Sequence, residues 1–334
     1  MAEYDLLCIG NAIVDVISPC EEEFLVENAI QKGGMTLIDT ERAEALYAAM
    51  SPGTEASGGS AANTIACFAS LGGKGAFIGK VADDQLGTIF NHDIHATGIT
   101  FETAPNAGDG APTARCLILV TPDGERSMNT FLGACTELGP QDIDEDLVKA
   151  SKVTYFEGYL WDPPKAKEAI VKAAHAAHAA GRQVAMTLSD DFCVARYRNE
   201  FLDLLRSGTV DIVFANETEA LALYETDNLD EALDRLGRDA PKLAIVTRGE
   251  KGCIIVEGQA RTVVPASPVD KVVDATGAGD AFAGGYLMGH IAGMPREICG
   301  RLAVESAAHV IAKIGARPQR PLKDLPAIAE ILAS

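Results

Sequence analysis

The feature that most constrains this chain is a rhythm. Short apolar, β-branched runs alternate with longer helix-period stretches for most of its length. Strand patterns lie at Leu6–Ile9, Ala76–Gly79, Val153–Glu157, Val184–Leu188, Ile212–Ala215, Leu243–Thr247 and Ile254–Glu257. Helix patterns lie at Asn63–Leu71, Leu86–Ala96, Pro164–Ala180, Glu217–Tyr224, Asp230–Leu236, Ala278–Ala292 and Pro295–Ile314. A run as continuously apolar as Leu6-Leu7-Cys8-Ile9 has no solvent side, so its sheet must be covered on both faces. The alternation therefore predicts a three-layer α/β/α sandwich around a mostly parallel central sheet.

Two stretches break the rhythm. Val14–Asp39 and Gly98–Phe131 read as strands and turns without a long helix, the second around a hairpin turning at Thr121-Pro122-Asp123-Gly124. One reading is an antiparallel extension of the main sheet, and the other is a small β-rich lid shared by both stretches. The lid reading divides the 334 residues into a large domain of 1–13, 40–97 and 132–334 and a lid of 14–39 and 98–131. Such lid strands suit a monomer or a homodimer that clasps through them.

Composition narrows the partners. Lys and Arg total 28 against 48 Asp and Glu, a formal net charge of −20, which argues against nucleic acid and against an anionic membrane surface. A small anionic ligand stays open, because a few cations and backbone amides bind phosphate whatever the global charge. The 8 cysteines form no C-x-x-C pair and mostly sit in apolar runs, so they read as reduced core residues of a cytoplasmic protein. The start at Met1 lacks a basic leader, and no apolar run is long enough to span a membrane. His175 and His178 have no Cys, Asp or Glu beside them to complete a metal site, and they, like His92 and His95, read as solvent-facing.

No P-loop, dinucleotide-binding glycine motif or hydrolase elbow is present. The most informative stretch is Asp274-Ala275-Thr276-Gly277-Ala278-Gly279-Asp280, which precedes a long apolar helix. Glycines there permit a tight turn whose free helix-start amides make a pocket for an anion. Asp280 at its mouth could accept a proton from a hydroxyl attacking phosphorus, or could merely cap the helix. Gly58-Gly59-Ser60-Ala61-Ala62-Asn63 opens another helix, where Gly59 admits close backbone approach and Asn63 offers a donor and an acceptor to a sugar diol. Asn11 and Asp15 follow the first strand, at the end where open α/β sheets bind ligands. Asn216 and Glu219, after a strand, could order a hydrated magnesium ion or simply cap a helix.

Together these motifs resemble the ribokinase-like (PfkB) carbohydrate kinases. The Gly58 to Asn63 stretch is similar to that family's first motif, Asp274 to Asp280 to its D-T-x-G-A-G-D motif, and Asn216 to Glu219 to its N-x-x-E motif. Ala275 departs from the usual Thr. The resemblance spans essentially the whole chain and implies an ATP-dependent phosphotransferase that uses Mg²⁺. It implies Asp280 as catalytic base, an anion hole from the amides of Gly277, Ala278 and Gly279, and Arg126 as a lid arginine over the transferring phosphate. Asn216 and Glu219 correspond to the metal and phosphate positions, acting through water. Thr247, Gly249 and Gly252 correspond to a turn touching ATP, and Val304 and Ala307 to the wall of its adenine. Loops near Asp274 bind K⁺ in some relatives.

For the acceptor, Asp15, Gly59 and Asn63 match the family's grip on two vicinal hydroxyls. Gly10-Asn11-x-x-x-Asp15 and the ending from Cys299-x-Arg301 to Gly315-Ala316 resemble the adenosine kinases of the family. That implies phosphorylation of the 5′-hydroxyl of adenosine, with Met128, Tyr159 and Leu160 lining an apolar slot for the base. The alternatives are a ribose, fructose or related sugar kinase of the same family and a ligand-binding protein on the same fold without catalysis.

Overall fold

The computed structural model describes residues 2–106, 108, 110–240 and 242–333; Met1 and its start, Ala107 and Asp109 of the expected lid, Pro241 and Ser334 lie outside the described residues. Among the described residues the strands are β1 (Tyr4–Ile9), β2 (Ile13–Pro19), β3 (Met35–Leu37), β4 (Thr54–Gly58), β5 (Gly75–Ile78), β6 (Ala114–Val120), β7 (Arg126–Phe131), β8 (Ser151–Glu157), β9 (Gln183–Thr187), β10 (Ile212–Asn216), β11 (Leu243–Thr247), β12 (Cys253–Glu257) and β13 (Ala260–Val264). Eight of them form one sheet in the order β13-β12-β11-β10-β9-β8-β1-β5, parallel except for β12 and β13. Strand β1 shows why both faces need cover. Leu7 and Ile9 pack with Ala166, Ile170 and Phe201 on one side, while Leu6 and Cys8 pack with Ile65, Phe282 and Tyr286 on the other. Each buried Leu, Ile or Phe among these stabilises the sandwich by roughly 1.5–3 kcal/mol. The three-layer architecture expected from the alternation is the one observed, and among the described residues no helix is long and apolar enough to cross a membrane.

A second sheet of five strands, ordered β3-β7-β6-β2-β4, stands apart from the first. The helices Glu22–Glu27 and Thr40–Ala49 cover one face of it, around Val16, Leu25, Leu46, Leu117 and Leu119. Its other face carries Asp15, Cys116 and Thr130 in one row, then Ile17, Ile118, Met128 and Met35 in the next. The boundaries drawn from sequence need correction here. Residues 40–58 were placed in the large domain, yet Leu46 lies in the small core and β4 pairs with β2 from Ile13↔Gly58 to Ile17↔Thr54. Conversely, Ile99 and Phe101, expected in the lid, are buried in the large core, and Thr100 bridges to Ala76 on β5.

The helix Asp191–Arg206 was not legible. Its backbone leaves helical geometry at Tyr197 (φ −118°, ψ 20°), which resets the apolar spacing halfway along. His178 also departs from expectation, since its ring packs 3.0 Å from the buried Asp211 carboxylate instead of facing solvent. His92, His95 and His175 are exposed as expected, and all eight cysteines are free, with only Cys20 outside the buried class.

Candidate active site

Strands β1, β8, β9, β10 and β11 all end on the same edge of the sheet, and the polar residues that follow them meet the start of the helix Ala278–Ile291. That helix begins at Gly277, whose φ of +76° is left-handed and whose added Cβ would stand 2.5 Å from Ala316 O, so only glycine fits. Of the three expected anion-hole amides, Ala278 N–H is already directed at Ala275 O (3.2 Å). The open helix-start amides are therefore those of its neighbours, Gly277 and Gly279 among them.

Asp280 lies in the first turn, half-buried. Ser60 Oγ donates to its Oδ1 (2.6 Å) and Asn63 Nδ2 donates to its Oδ2 (3.2 Å). Burial raises its carboxyl to about 6, against the pull of those two bonds and of the Arg317 charge. This is more than a cap, because the carboxylate ties its helix to the start of the helix Ser60–Ser70. Gly59 before it has φ +91°, and a Cβ there would meet Asn11 O at 2.1 Å. Asp15 reaches in from β2 against Gly58, where a Cβ would meet its Oδ2 at 2.4 Å. Burial lifts Asp15 to about 6 as well, opposed by Arg317 and Arg126.

Two cavities open beside Asp280. One of about 350 Å³ is lined by Ser60, Tyr159, Asn216, Glu219, Thr247, Gly277 and Asp280. The other, about 570 Å³, adjoins it through Thr247, Ala278 and Gly279 and is walled by Gly249, Gly252, Val304 and Ala307. The predicted residues of the turn and the adenine wall are thus brought together. Asn216 and Glu219 form a reciprocal capping box: Asn216 Oδ1 accepts from Glu219 N (2.8 Å), and the Glu219 carboxylate accepts from Asn216 N (3.0 Å) and Nδ2 (2.7 Å). The capping reading of this pair therefore holds, and both residues also line the smaller cavity. Burial raises Glu219 to about 7, the Asn216 amide opposing it.

Arg126, at the start of β7, pairs through Nη2 with Asp274 Oδ2 (2.7 Å), so the small sheet is ion-paired to the residue that opens the glycine turn. Asp274 also accepts from Thr276 N at Oδ1 (3.1 Å) and from Gly315 N at Oδ2 (2.7 Å), so the carboxylate ties the turn to the segment after Ile314.

Three expected site residues need correction. Asn11 is buried and bonds Glu157 Oε1 through both its backbone N (3.0 Å) and Nδ2 (2.7 Å), which makes it a partner of Glu157 instead of an open ligand group. Leu160 is fully buried in the core on the far face of the sheet, because the 3-10 turn Gly158–Trp161 directs it inward. Tyr159 lines the smaller cavity, whose lining does not include Met128, with its hydroxyl 3.3 Å from Ser189 O. Met128 itself is half-buried on the open face of the small sheet.

Sequence reasoning missed Ser60, Glu157 and Arg317. Ser60 sits inside a motif that was read. Glu157 ends a buried strand, a signal that was available; it is fully buried, accepts from Ala61 N (2.7 Å), and burial raises it to about 7. Arg317 had no local signal. It donates from Nε to Asn63 Oδ1 (2.9 Å) and from Nη2 to Gly58 O (3.4 Å), and burial lowers its guanidinium to about 10 against the field of Asp15, Asp93 and Asp280.

A carboxylate lining a polar cavity beside a glycine turn with open helix-start amides, on an α/β/α sandwich with a small β sheet ion-paired to that turn, is the site of a phosphotransferase. The pfkB family carbohydrate kinase model matches residues 5–323, and the chain belongs to that family. It is a kinase that uses ATP and a divalent metal. A crystal structure of adenosine kinase from Sinorhizobium meliloti is 59% identical over the full length of both chains, with a TM-score of 0.91. A crystal structure of a probable sugar kinase protein from Rhizobium etli CFN 42 is 56% identical, covering 99% of this chain and 100% of that one, with a TM-score of 0.92. Adenosine kinase of Saccharomyces cerevisiae is 29% identical over 306 residues, 85% of this chain and 88% of that protein.

Proposed function

We propose that the chain transfers the γ-phosphoryl group of ATP to the 5′-hydroxyl of adenosine, giving AMP and ADP. The carrying observation is the position of Asp280, bonded to Ser60 and Asn63 on the acceptor side and adjoining Gly277 and Gly279 on the phosphate side. A hydroxyl seated between Asp15 and Asp280 gives its proton to Asp280 as its oxygen bonds to the γ-phosphorus. The bond from that phosphorus to the oxygen it shares with the β-phosphate breaks, and ADP leaves. The amides of the glycine turn stabilise the charge that develops on the transferring group, and Arg126 adds a cation from the small sheet.

The donors beside the smaller cavity fit a magnesium ion that keeps most of its water. Each Glu219 oxygen takes one N–H from Asn216 and retains acceptor capacity for a bound water. Magnesium bound with ATP would supply charge neutralisation between the β- and γ-phosphates.

Adenosine is favoured over a smaller sugar by the apolar row Ile17, Ile118, Met128 and Met35 one register step beyond Asp15. Met35 in that row is 47% exposed and Leu37, beside Thr130 in the Asp15 row, is 51% exposed, surface that a purine would cover and a free pentose would leave wet. The name of the 59% identical structure points the same way. A sugar kinase is the second reading, supported by the name of the 56% identical one. Measuring ADP release with adenosine, other nucleosides, ribose and fructose separates the two. Adenosine is expected to give the highest kcat/KM, and fast turnover of a sugar with none of adenosine would overturn the assignment.

A further inference from the structure

Arg317 belongs to none of the motifs that carry the family resemblance, yet it stands in the middle of the acceptor cleft. It arrives on the segment after Gly315, which is tied to Asp274 by the Gly315 N–H (2.7 Å) and pressed against Gly277 through Ala316. We propose that Arg317 is a positioning residue for phosphoryl transfer: its guanidinium orients the Asn63 amide toward Asp280 and balances the charge of Asp15 and Asp280. The proposal rests on the kinase chemistry assigned above and deepens it.

The orientation argument is one of donors and acceptors. Arg317 Nε can only donate, so the Asn63 atom 2.9 Å away must be the carbonyl oxygen. The other end of that amide, the NH₂, is thereby turned to Asp280 Oδ2 at 3.2 Å. Without Arg317 the amide loses the donor that fixes its oxygen and is held only by its own 3.2 Å bond to Asp280. The second bond, from Nη2 to Gly58 O at 3.4 Å, holds the guanidinium to the turn that precedes Gly59.

The charges around it come from every element packed on the cleft. Asp15 is on β2, Asp93 on the helix Gln85–Ala96, Asp280 on the helix Ala278–Ile291, Glu157 on β8 and Arg126 on β7. Asp93 is taken by Ser57 Oγ (2.8 Å) and N (3.2 Å). Glu157 is taken by Asn11 and Ala61, and Arg126 by Asp274. Arg317 is thus the cation that acts on both Asp15 and Asp280, pulling each down against burial, while Arg126 adds to the pull on Asp15. Removing it favours their protonated forms, and a protonated Asp280 accepts no proton.

The test compares Arg317→Met and Arg317→Lys with the unmodified chain and with Asn63→Ala, using whichever acceptor the unmodified chain turns over best. Arg317→Met is expected to lower kcat about 10- to 100-fold, the scale of a misplaced catalytic group, and to move the acid limb of kcat/KM to higher pH. Arg317→Lys should restore the acid limb but only part of kcat, since an ammonium lacks the planar fork. In the Asn63→Ala background Arg317→Met should cost far less than in the unmodified chain. Unchanged kcat and acid limb, or a loss equally large without Asn63, would overturn the proposal. If Arg317→Met does not fold, Arg317→Gln, neutral but still a donor to Asn63, is read by the same acid limb. An active unmodified chain with indifferent variants sinks this proposal alone, whereas an unmodified chain silent with every acceptor sinks the kinase assignment and this proposal with it.

Discussion

Replacing Asp280 by Asn should make the protein both inactive and more stable. The carboxylate has two partners. An Asn in its place can present its oxygen to Asn63 Nδ2 and its NH₂ to Ser60 Oγ, which rotates to accept, so both contacts survive without a change of shape. What disappears is a charge that the fold holds reluctantly. A carboxyl raised from 3.8 to about 6 by burial destabilises the ionised folded state by about 3 kcal/mol at neutral pH. Asp280 is only half-buried, and Arg317 loses a counter-charge in the variant, so about 1 kcal/mol of relief is a fair figure. Unfolding entropy of about 2.1 cal/mol/K per residue over 334 residues converts that to a rise of about 1–2 °C in Tm.

The pH dependence has a definite sign. Because the folded pKa is raised, the cost is absent below about pH 4, grows as the unfolded chain ionises first, and is complete above about pH 6. The stabilisation of Asp280→Asn over the unmodified chain should therefore vanish in melts near pH 4 and saturate above pH 6. Turnover should fall about 10²- to 10⁴-fold, the usual worth of a general base, while acceptor affinity measured by calorimetry changes little. Turnover within a few-fold of the unmodified chain would refute Asp280 as the base. A Tm lowered equally at pH 4 and pH 7.5 would refute the buried-charge reasoning.

Gly277→Ala places a Cβ 2.5 Å from Ala316 O at a φ of +76°, so it should cost about 1–3 kcal/mol in thermal melts and at least an order of magnitude in kcat. Glu219→Gln leaves one acceptor for two Asn216 donors, which should cost about 1 kcal/mol. The same variant should need several-fold more Mg²⁺ for half-maximal turnover in a metal titration, and an unmoved midpoint would remove Glu219 from the metal's water shell.

Much of this molecule is legible in one dimension, for reasons that particular residues make plain. The run Leu6 to Ile9 is apolar at every position because both faces of β1 are covered, so strand and sandwich could be read together. The turn at Gly277 and the pair Asn216 with Glu219 were legible because each is a local device, confined within a few residues. The lid boundaries were not, since β4 is only five residues of weak pattern whose membership in the small sheet depends on pairing with the remote β2, in register from Ile13↔Gly58 to Ile17↔Thr54. Leu160 failed for a related reason, because sequence cannot say to which face of the sheet a strand-end residue turns.

The sequence by itself therefore determined the layers, the glycine turn before the helix Ala278–Ile291 and the place of Asp280, the carboxylate proposed as proton acceptor. These are written in hydrophobic period and in glycines, both of which act over a few residues of chain. Only the tertiary structure decided that Ser60 and Asn63 hold Asp280, that Arg126 pairs with Asp274, and that Arg317 stands between Asp15 and Asp280. Those contacts join segments remote in sequence, and a buried charge is tuned by whatever the fold brings within a few ångströms, which no local pattern encodes.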